Sequence, residues 1–188
     1  SGMLVGLTGR NASGKSTFVE WFSAKGLRSV SCSDSIRAWL AEQGIESTRE
    51  ALIEGGRELR RQGGGGVLAE MLLEILSGED AVVDSIRTPA EVEALRERGD
   101  FFLIEVRADQ EARWERMNQR GRSGDPLDKE VFLRQEEAEA SSKDEAGQAL
   151  DATAEMADIT IQNDGTMEEL HEKLETVWNE INHSQNDS

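Results

Sequence analysis

"GRNASGKST", residues 9–17, follows the apolar run "MLVGLT" (3–8) and has the spacing glycine, four residues, glycine, lysine, serine. An apolar run that breaks at glycines and resumes in residues able to start a helix reads as strand, loop, helix, and that context gives the pattern its meaning. Gly9 and Gly14 let the backbone curl so that successive N–H groups converge, and a helix opening near Lys15 turns the positive end of its dipole to the same point. A nest of this kind takes an anion. Gly9, Arg10, Asn11, Ala12, Ser13, Gly14, Lys15, Ser16 and Thr17 are the candidate cradle for the phosphates of ATP. Lys15 is expected to reach the β- and γ-phosphates, and the Ser16 hydroxyl to ligate Mg2+, a hard cation that takes oxygen donors and keeps several waters. Thr17 either assists at the α-phosphate or packs in the first helical turn.

Outward from this loop, short apolar runs alternate with longer helix-like stretches. "LVGLT" (4–8), "SVSCSD" (29–34), "AVVDSI" (81–86), "FFLIEV" (101–106) and "ITIQ" (159–162) read as five strands. Brief, mostly apolar strands separated by helices predict a parallel sheet covered on both faces. Between them, Phe18 and Phe22 stripe one helix that stops near Gly26, and "DSIRAWLAEQG" also ends on glycine. "TPAEVEALRERG" opens with Thr88 and Pro89 as N-cap and first turn. "TMEELHEKLETVWNEI" opens on a capping box, Thr166 with Glu169, and sets Leu170, Leu174, Val177 and Ile181 on one face. The run "GGGG" (63–66) reads as a flexible joint between helices, the alternative being a close approach to a substrate. The acidic, alanine-rich run from Glu136 to Asp158 reads as solvated helix.

Composition narrows the partners. The chain has 188 residues, enough for one domain with a sizeable core. A formal charge of -17 argues against binding long nucleic acid, which requires Lys and Arg to neutralise phosphates. One cysteine, Cys32, permits no internal disulfide, and it reads as a small buried residue. No apolar stretch approaches the ~20 residues that span a bilayer, so the expected setting is cytoplasmic, with small nucleotides as partners and no membrane. Monomer and homodimer both stay open. Ser1 and Gly2 read as an expression scar, 3–182 as one domain, and 183–188 as a disordered tail. His171 and His183 lie far from every strand end, and the four tryptophans sit in helical periodicity, where packing is their expected role.

Ligands of an open parallel sheet collect outside the carboxyl ends of its strands. Asp34 and Asp84 follow such ends, each with an arginine three residues on, Arg37 and Arg87. Asp84 either holds magnesium or caps a helix, and Asp34 either orients an attacking group or bonds Ser31 and nearby backbone N–H groups. Arg37 and Arg87 offer a two-sided guanidinium clamp for an acceptor's phosphate. Arg113, Arg116 and Arg120, spaced by three and four residues, share a helical face. With Arg122 they can bring cationic groups over a transferring phosphate, or else form a solvated face neutralised by Glu111 and Glu115.

"SCSDSIRAWL" (31–40) resembles the segment of nucleoside monophosphate kinases, adenylate kinase above all, in which a strand ends near Asp and the next helix carries Arg. Ser33 stands where adenylate kinases usually have glycine. "VVDSIRTPAEVEAL" (82–95) is similar to the next family segment with a shorter turn before its arginine, as in an archaeal group of uncharacterised adenylate-kinase-like proteins and in dephospho-CoA kinases. "ADITIQNDGTMEEL" (157–170) looks like the family's last strand and adenine-contacting loop, which would make Asp164 and Gly165 nucleotide-binding. The resemblance implies a three-layer α/β/α P-loop NTPase fold with an acceptor-binding helical region at 35–76 and a short lid at 113–128. It also implies a catalytic set of Lys15, Asp34, Asp84, Arg116, Arg120 and Arg122, an acceptor set of Asp34, Arg37 and Arg87, and magnesium on Ser16 and Asp84. The implied activity is ATP- and Mg2+-dependent phosphorylation of a nucleoside monophosphate. Dephospho-CoA is the same-class alternative acceptor, and a nucleotide-binding regulatory or assembly ATPase is the reading from another class.

Overall fold

The computed structural model describes residues 2–140 and 145–186. Strands β1 (Leu4–Thr8), β2 (Arg28–Ser31), β3 (Ala81–Asp84), β4 (Phe101–Arg107) and β5 (Ile159–Gln162) form one sheet in the order β2-β3-β1-β4-β5. Every pairing is parallel. The register sets Leu4 opposite both Ala81 and Phe101, so β1 is the central strand, and all five of its residues are buried.

Because side chains alternate across a strand, β1 feeds two cores. Leu4 joins Val30, Val83 and Leu103 beneath α2 (Ser33–Glu42), α4 (Val67–Leu76) and α5 (Pro89–Arg96), with Leu59 of α3 (Arg49–Gly63) alongside. Val5 and Leu7 join Val82, Ile104 and Val106 beneath α1 (Lys15–Ala24) and α9 (Met167–Asn186). On that face Phe18 and Phe22 are fully buried, Trp21 and Trp178 meet edge to face at 5.9 Å, and Lys25 lies 4.9 Å over the Trp21 ring. Tryptophan here is packing. The helices α6 (Gln110–Arg120), α7 (Lys129–Ala140) and α8 (Glu145–Glu155) complete the chain between β4 and β5.

The five strands predicted from apolar runs are present, with shifts that have local causes. The second run stops at Ser31, three residues before the expected end, because the Asp34 carboxylate accepts the Ser31 N–H at 2.8 Å and α2 already begins at Ser33. The third stops at Asp84, since Ser85 takes a left-handed φ of 54°. The last helix runs through Asn186, so residues 183–186 of the expected disordered tail are helical; 187 and 188 lie outside the described residues, as does Ser1 of the expected scar.

Two further expectations change. A Cβ on Gly66 would stand 2.9 Å from the Ala90 carbonyl oxygen and 3.4 Å from Ala94 Cβ, so the glycine run lets the α3–α4 joint press against α5 and does not serve as a loose tether. The acidic run from Glu136 is not uniformly solvated either. The Glu136 carboxylate accepts from Arg113, which is only 6 % exposed, and Thr153 is fully buried.

Candidate active site

The helix after β1, α1, lies on one face of the sheet, and the helix after β3, α5, on the other. Since β1 and β3 are neighbours, their carboxyl ends part at a switch point, the place where an open α/β sheet binds ligands. The crevice there is a cavity of about 670 Å³. Asn11, Ala12, Gly14, Lys15, Ser16 and Thr17 form one wall, Asp84, Ser85 and Arg87 another. Arg116, Gln119, Arg120 and Arg122 close it from α6 and the turn after it, and Asn163, Gly165, Thr166, Met167 and Leu170 from the segment after β5 and the first turn of α9.

Local chemistry shapes each wall. Gly9 has φ 146°, and a Cβ there would come 2.3 Å from the Val106 oxygen; Gly14 has φ 106°, and its Cβ would come 2.2 Å from Asn163 Nδ2. Both positions require glycine for conformation and for space. Lys15 Nζ donates to Gly9 O and Arg10 O, both at 2.8 Å, curling back over the loop. Burial, reinforced by the Arg87 guanidinium, pulls the Lys15 ammonium down to about 8, with Asp84 opposing. A half-buried cation stripped of much of its water is poised for an anion.

After β3, the Ile86 N–H donates to Leu7 O at 2.8 Å, pinning the turn to β1. The N–H groups of Arg87 and Thr88 both donate to Glu91 Oε1 at 3.1 Å, in the capping box that starts α5. The backbone is thereby held while the Arg87 guanidinium makes no hydrogen bond among the described residues. Asp84 caps nothing: Thr88 is the N-cap, and the Asp84 carboxylate accepts the Ser85 hydroxyl at 2.8 Å and lines the cavity.

Several expected positions fall elsewhere. Asp34 and Arg37 are absent from the cavity wall. Arg37 Nη1 donates to Asp34 Oδ1 and to Ser33 Oγ, both at 2.9 Å, while the other Asp34 oxygen caps Ser31. This is a self-contained helix start, the alternative the residues had left open for Asp34. Gly9, Arg10 and Ser13 wall a separate cavity of about 200 Å³ behind the loop, where Arg10 lies 3.8 Å from Glu136 and 3.7 Å from Asp151. The Asp164 carboxylate turns back to accept the Asp109 N–H at 2.7 Å, which holds it below the usual carboxylate range.

The arginine face divides. Arg113 is buried: its Nε donates to Ala108 O at 3.0 Å and its Nη2 to Glu136, whose carboxyl, although raised by burial, is held low by Arg113 and Arg10. Arg116 donates to Ala12 O at 3.0 Å and Asn163 O at 2.7 Å. Arg120 grips Asp125 through two bonds at 2.9 and 3.0 Å and reaches Asn11 Oδ1 at 2.9 Å. The Asp125 carboxyl sits low because Arg120 donates to it. Glu111 pairs with Lys129, not with these arginines. The Arg122 guanidinium makes no hydrogen bond among the described residues.

Asn163, Ser85 and Glu91 shape the site and were not singled out in the sequence. The spacing Thr88-x-x-Glu91 is a capping-box pattern and could have drawn attention to Glu91; nothing local marks Asn163. Cys32 is buried and its thiol is pushed far up by burial and by Glu91, as suits an inert core residue. No group of three or more His, Cys, Asp or Glu able to hold a metal occurs among the described residues, and none of the described helices is long and apolar enough to cross a membrane.

In fold, the chain is similar to the crystal structure of TT1252 from Thermus thermophilus, with a TM-score of 0.60 at 21% identity over 95% of this chain and 97% of that one. It is also similar to shikimate kinase from Aquifex aeolicus, with a TM-score of 0.56 at 16% identity over 99% and 100% of the two chains. The architecture is that of P-loop kinases. In sequence, it is 34% identical over 180 residues to the UPF0200 protein of Methanothrix thermoacetophila, covering 95% of this chain and 97% of that protein. Residues 5–141, which carry the glycine loop, both walls of the switch point and the arginine helix, match the AAA domain family, and the chain belongs to that family and, over nearly its full length, to the UPF0200 proteins.

Proposed function

We propose that this chain transfers the γ-phosphoryl group of ATP to a small acceptor that already bears a phosphate, a nucleoside monophosphate being the acceptor class of choice. The observation that carries the reading is the Arg87 guanidinium: unengaged by hydrogen bonds among the described residues, it shares one cavity with Lys15 and Ser16 across the switch point. One wall is built for the anion of a donor, the other offers a planar fork to a second anion. With Arg37 tied to Asp34, the acceptor's phosphate rests on Arg87 alone and not on a pair of arginines.

Magnesium fits the residues present. The Ser16 hydroxyl and the Asp84 carboxylate line the same cavity and are oxygen donors, and two such ligands suit a cation that arrives with phosphates and water. When bound it offsets charge on the donor's β- and γ-oxygens. The chain's own residues do the rest. Lys15 leaves the Gly9 and Arg10 carbonyls for the phosphates, Arg87 orients the acceptor, and Arg120 and Arg122 approach from the opposite rim. An acceptor phosphate oxygen forms a bond to the γ-phosphorus as the bond to the bridging oxygen breaks. That oxygen is already anionic at neutral pH, so no side chain has to remove its proton.

An ADP-release assay over nucleoside and deoxynucleoside monophosphates and dephospho-CoA tests the reading. Turnover with at least one monophosphate is expected, abolished in Lys15→Ala, with Arg87→Ala raising the acceptor KM by about tenfold or more. Turnover with dephospho-CoA alone would change the acceptor, and ADP release independent of every acceptor would return the chain to the class of slow ATPases.

A further inference from the structure

Resting on the phosphate-loop reading above, we propose that Asn163 and Arg116 are positioning residues: they grip carbonyl oxygens of the glycine loop and so keep the Gly14 N–H turned toward the anion. A trans peptide carries its C=O and N–H on opposite sides. Whatever holds the Ser13 oxygen therefore aims the Gly14 hydrogen. Asn163 holds it, Nδ2 donating to Ser13 O at 2.9 Å from a residue only 8 % exposed. The preceding peptide is held in the same way, with Arg116 Nη1 on Ala12 O at 3.0 Å while the Ser13 N–H closes on Arg10 O at 3.2 Å.

The two grips brace each other. Arg116 Nη2 donates to Asn163 O at 2.7 Å, and the Asn163 N–H donates to Arg107 O at 2.6 Å, which roots the arrangement in the end of β4. Support from outside is needed because the loop does not take its form unaided: Ala12 holds a φ of 63°, a left-handed conformation that a residue with a side chain seldom adopts. The fit is also tight: a side chain on Gly14 would come 2.2 Å from Asn163 Nδ2, so the amide packs directly against the glycine. Gly14 lines the cavity, and its N–H makes no hydrogen bond among the described residues. The segment after β5 thus acts on the phosphates through the backbone of the cradle, apart from any contact with a nucleotide's base.

The test is calorimetric titration of inorganic pyrophosphate and of a non-hydrolysable ATP analogue into wild type, Asn163→Ala and the near-isosteric Asn163→Leu, with the Gly14 amide followed by nitrogen-15 NMR. Wild type binds both ligands. Each variant is expected to lose about tenfold in affinity for both alike, the scale of one hydrogen bond to a charged group, and the pyrophosphate-induced shift of the Gly14 resonance shrinks with it. Loss confined to the ATP analogue would make Asn163 a base contact and overturn the proposal. So would unchanged affinity, or failure of both variants to fold. A wild type that takes up no pyrophosphate would instead refute the phosphate-loop reading itself, a result visible before any variant is compared.

Discussion

Lys15 offers the sharpest quantitative test, because the same burial that readies it for phosphate weakens the unliganded protein. Its ammonium titrates near 8 in the fold against 10.5 for an ordinary lysine. A lowered lysine pKa means that the unfolded chain binds more protons between those values, so stability rises with pH from about 8 to about 10.5 and the cost is complete below 8. A gap of about 2.5 pH units corresponds to roughly 3 kcal/mol. Lys15→Met keeps the aliphatic stem and removes the charge. The stability advantage of that variant over wild type should therefore shrink by about 3 kcal/mol between pH 7 and pH 10.5, or ~6–12 °C in relative melting temperature for a domain of this size. Comparing the two proteins cancels every other titrating group that the substitution leaves alone. The assay is thermal denaturation in chelator, without nucleotide. A second readout follows from the same shift: pyrophosphate restores the charge, so binding at pH 9 should take up ~0.9 proton and at pH 7 about 0.1, measured by calorimetry in buffers of different ionisation heat. A stability difference that stays constant with pH, or proton uptake near zero at pH 9, would refute the argument that burial dominates at this lysine.

Arg113→Ala leaves the Glu136 carboxylate buried without its main partner and should cost about 3–5 kcal/mol in denaturant unfolding, with pyrophosphate affinity moved far less than stability. Because Glu136 is held below its ordinary value of 4.5, its contribution is present above that value and lost as pH falls through the folded pKa. Glu136→Gln should accordingly flatten the acid limb of the stability profile, as seen by circular dichroism from pH 5 downward. Gly14→Ala forces a side chain into φ 106° and against Asn163; stability should fall by at least ~1–2 kcal/mol, and pyrophosphate binding should vanish in titration. Gly66→Ala should cost about 1–3 kcal/mol by overpacking the contact with Ala90, a loss that chemical denaturation would register; an unchanged midpoint would restore the reading of the glycine run as a loose joint.

Strand content was legible along the chain because each strand is short, apolar and followed by a helix with its own stop and start residues, Gly26, Thr88 and Thr166 among them. Those signals act over three or four residues, the range of capping and turn chemistry. The glycine loop was legible for the same reason, since its conformation is set by Gly9 and Gly14 within one segment. Strand ends were less so. Asp34 looked like the terminus of an extended run, yet its carboxylate closes on the Ser31 N–H and begins a helix instead, a choice between two local hydrogen-bonding patterns that propensity does not rank.

Sequence spacing made Asp34–Arg37 and Asp84–Arg87 equivalent, and by itself it determined only that each pair follows a strand. Their difference comes from position in the sheet. β3 borders β1 at the switch point, so Arg87 opens into the cavity, whereas β2 is the edge strand one place further out and Arg37 closes on its own helix. The arginines of α6 likewise share one helical face but separate into a buried ion pair at Arg113, a backbone grip at Arg116 and a cavity rim at Arg120 and Arg122, according to what α7, the glycine loop and the segment after β5 present to each. Local chemistry set the strands, the caps and the phosphate loop. The assignment of identical side chains to different tasks was decided by strand order and by contacts across as many as 150 residues of chain, as between Asn163 and Ser13, because electrostatic and hydrogen-bond partners are chosen by distance in space.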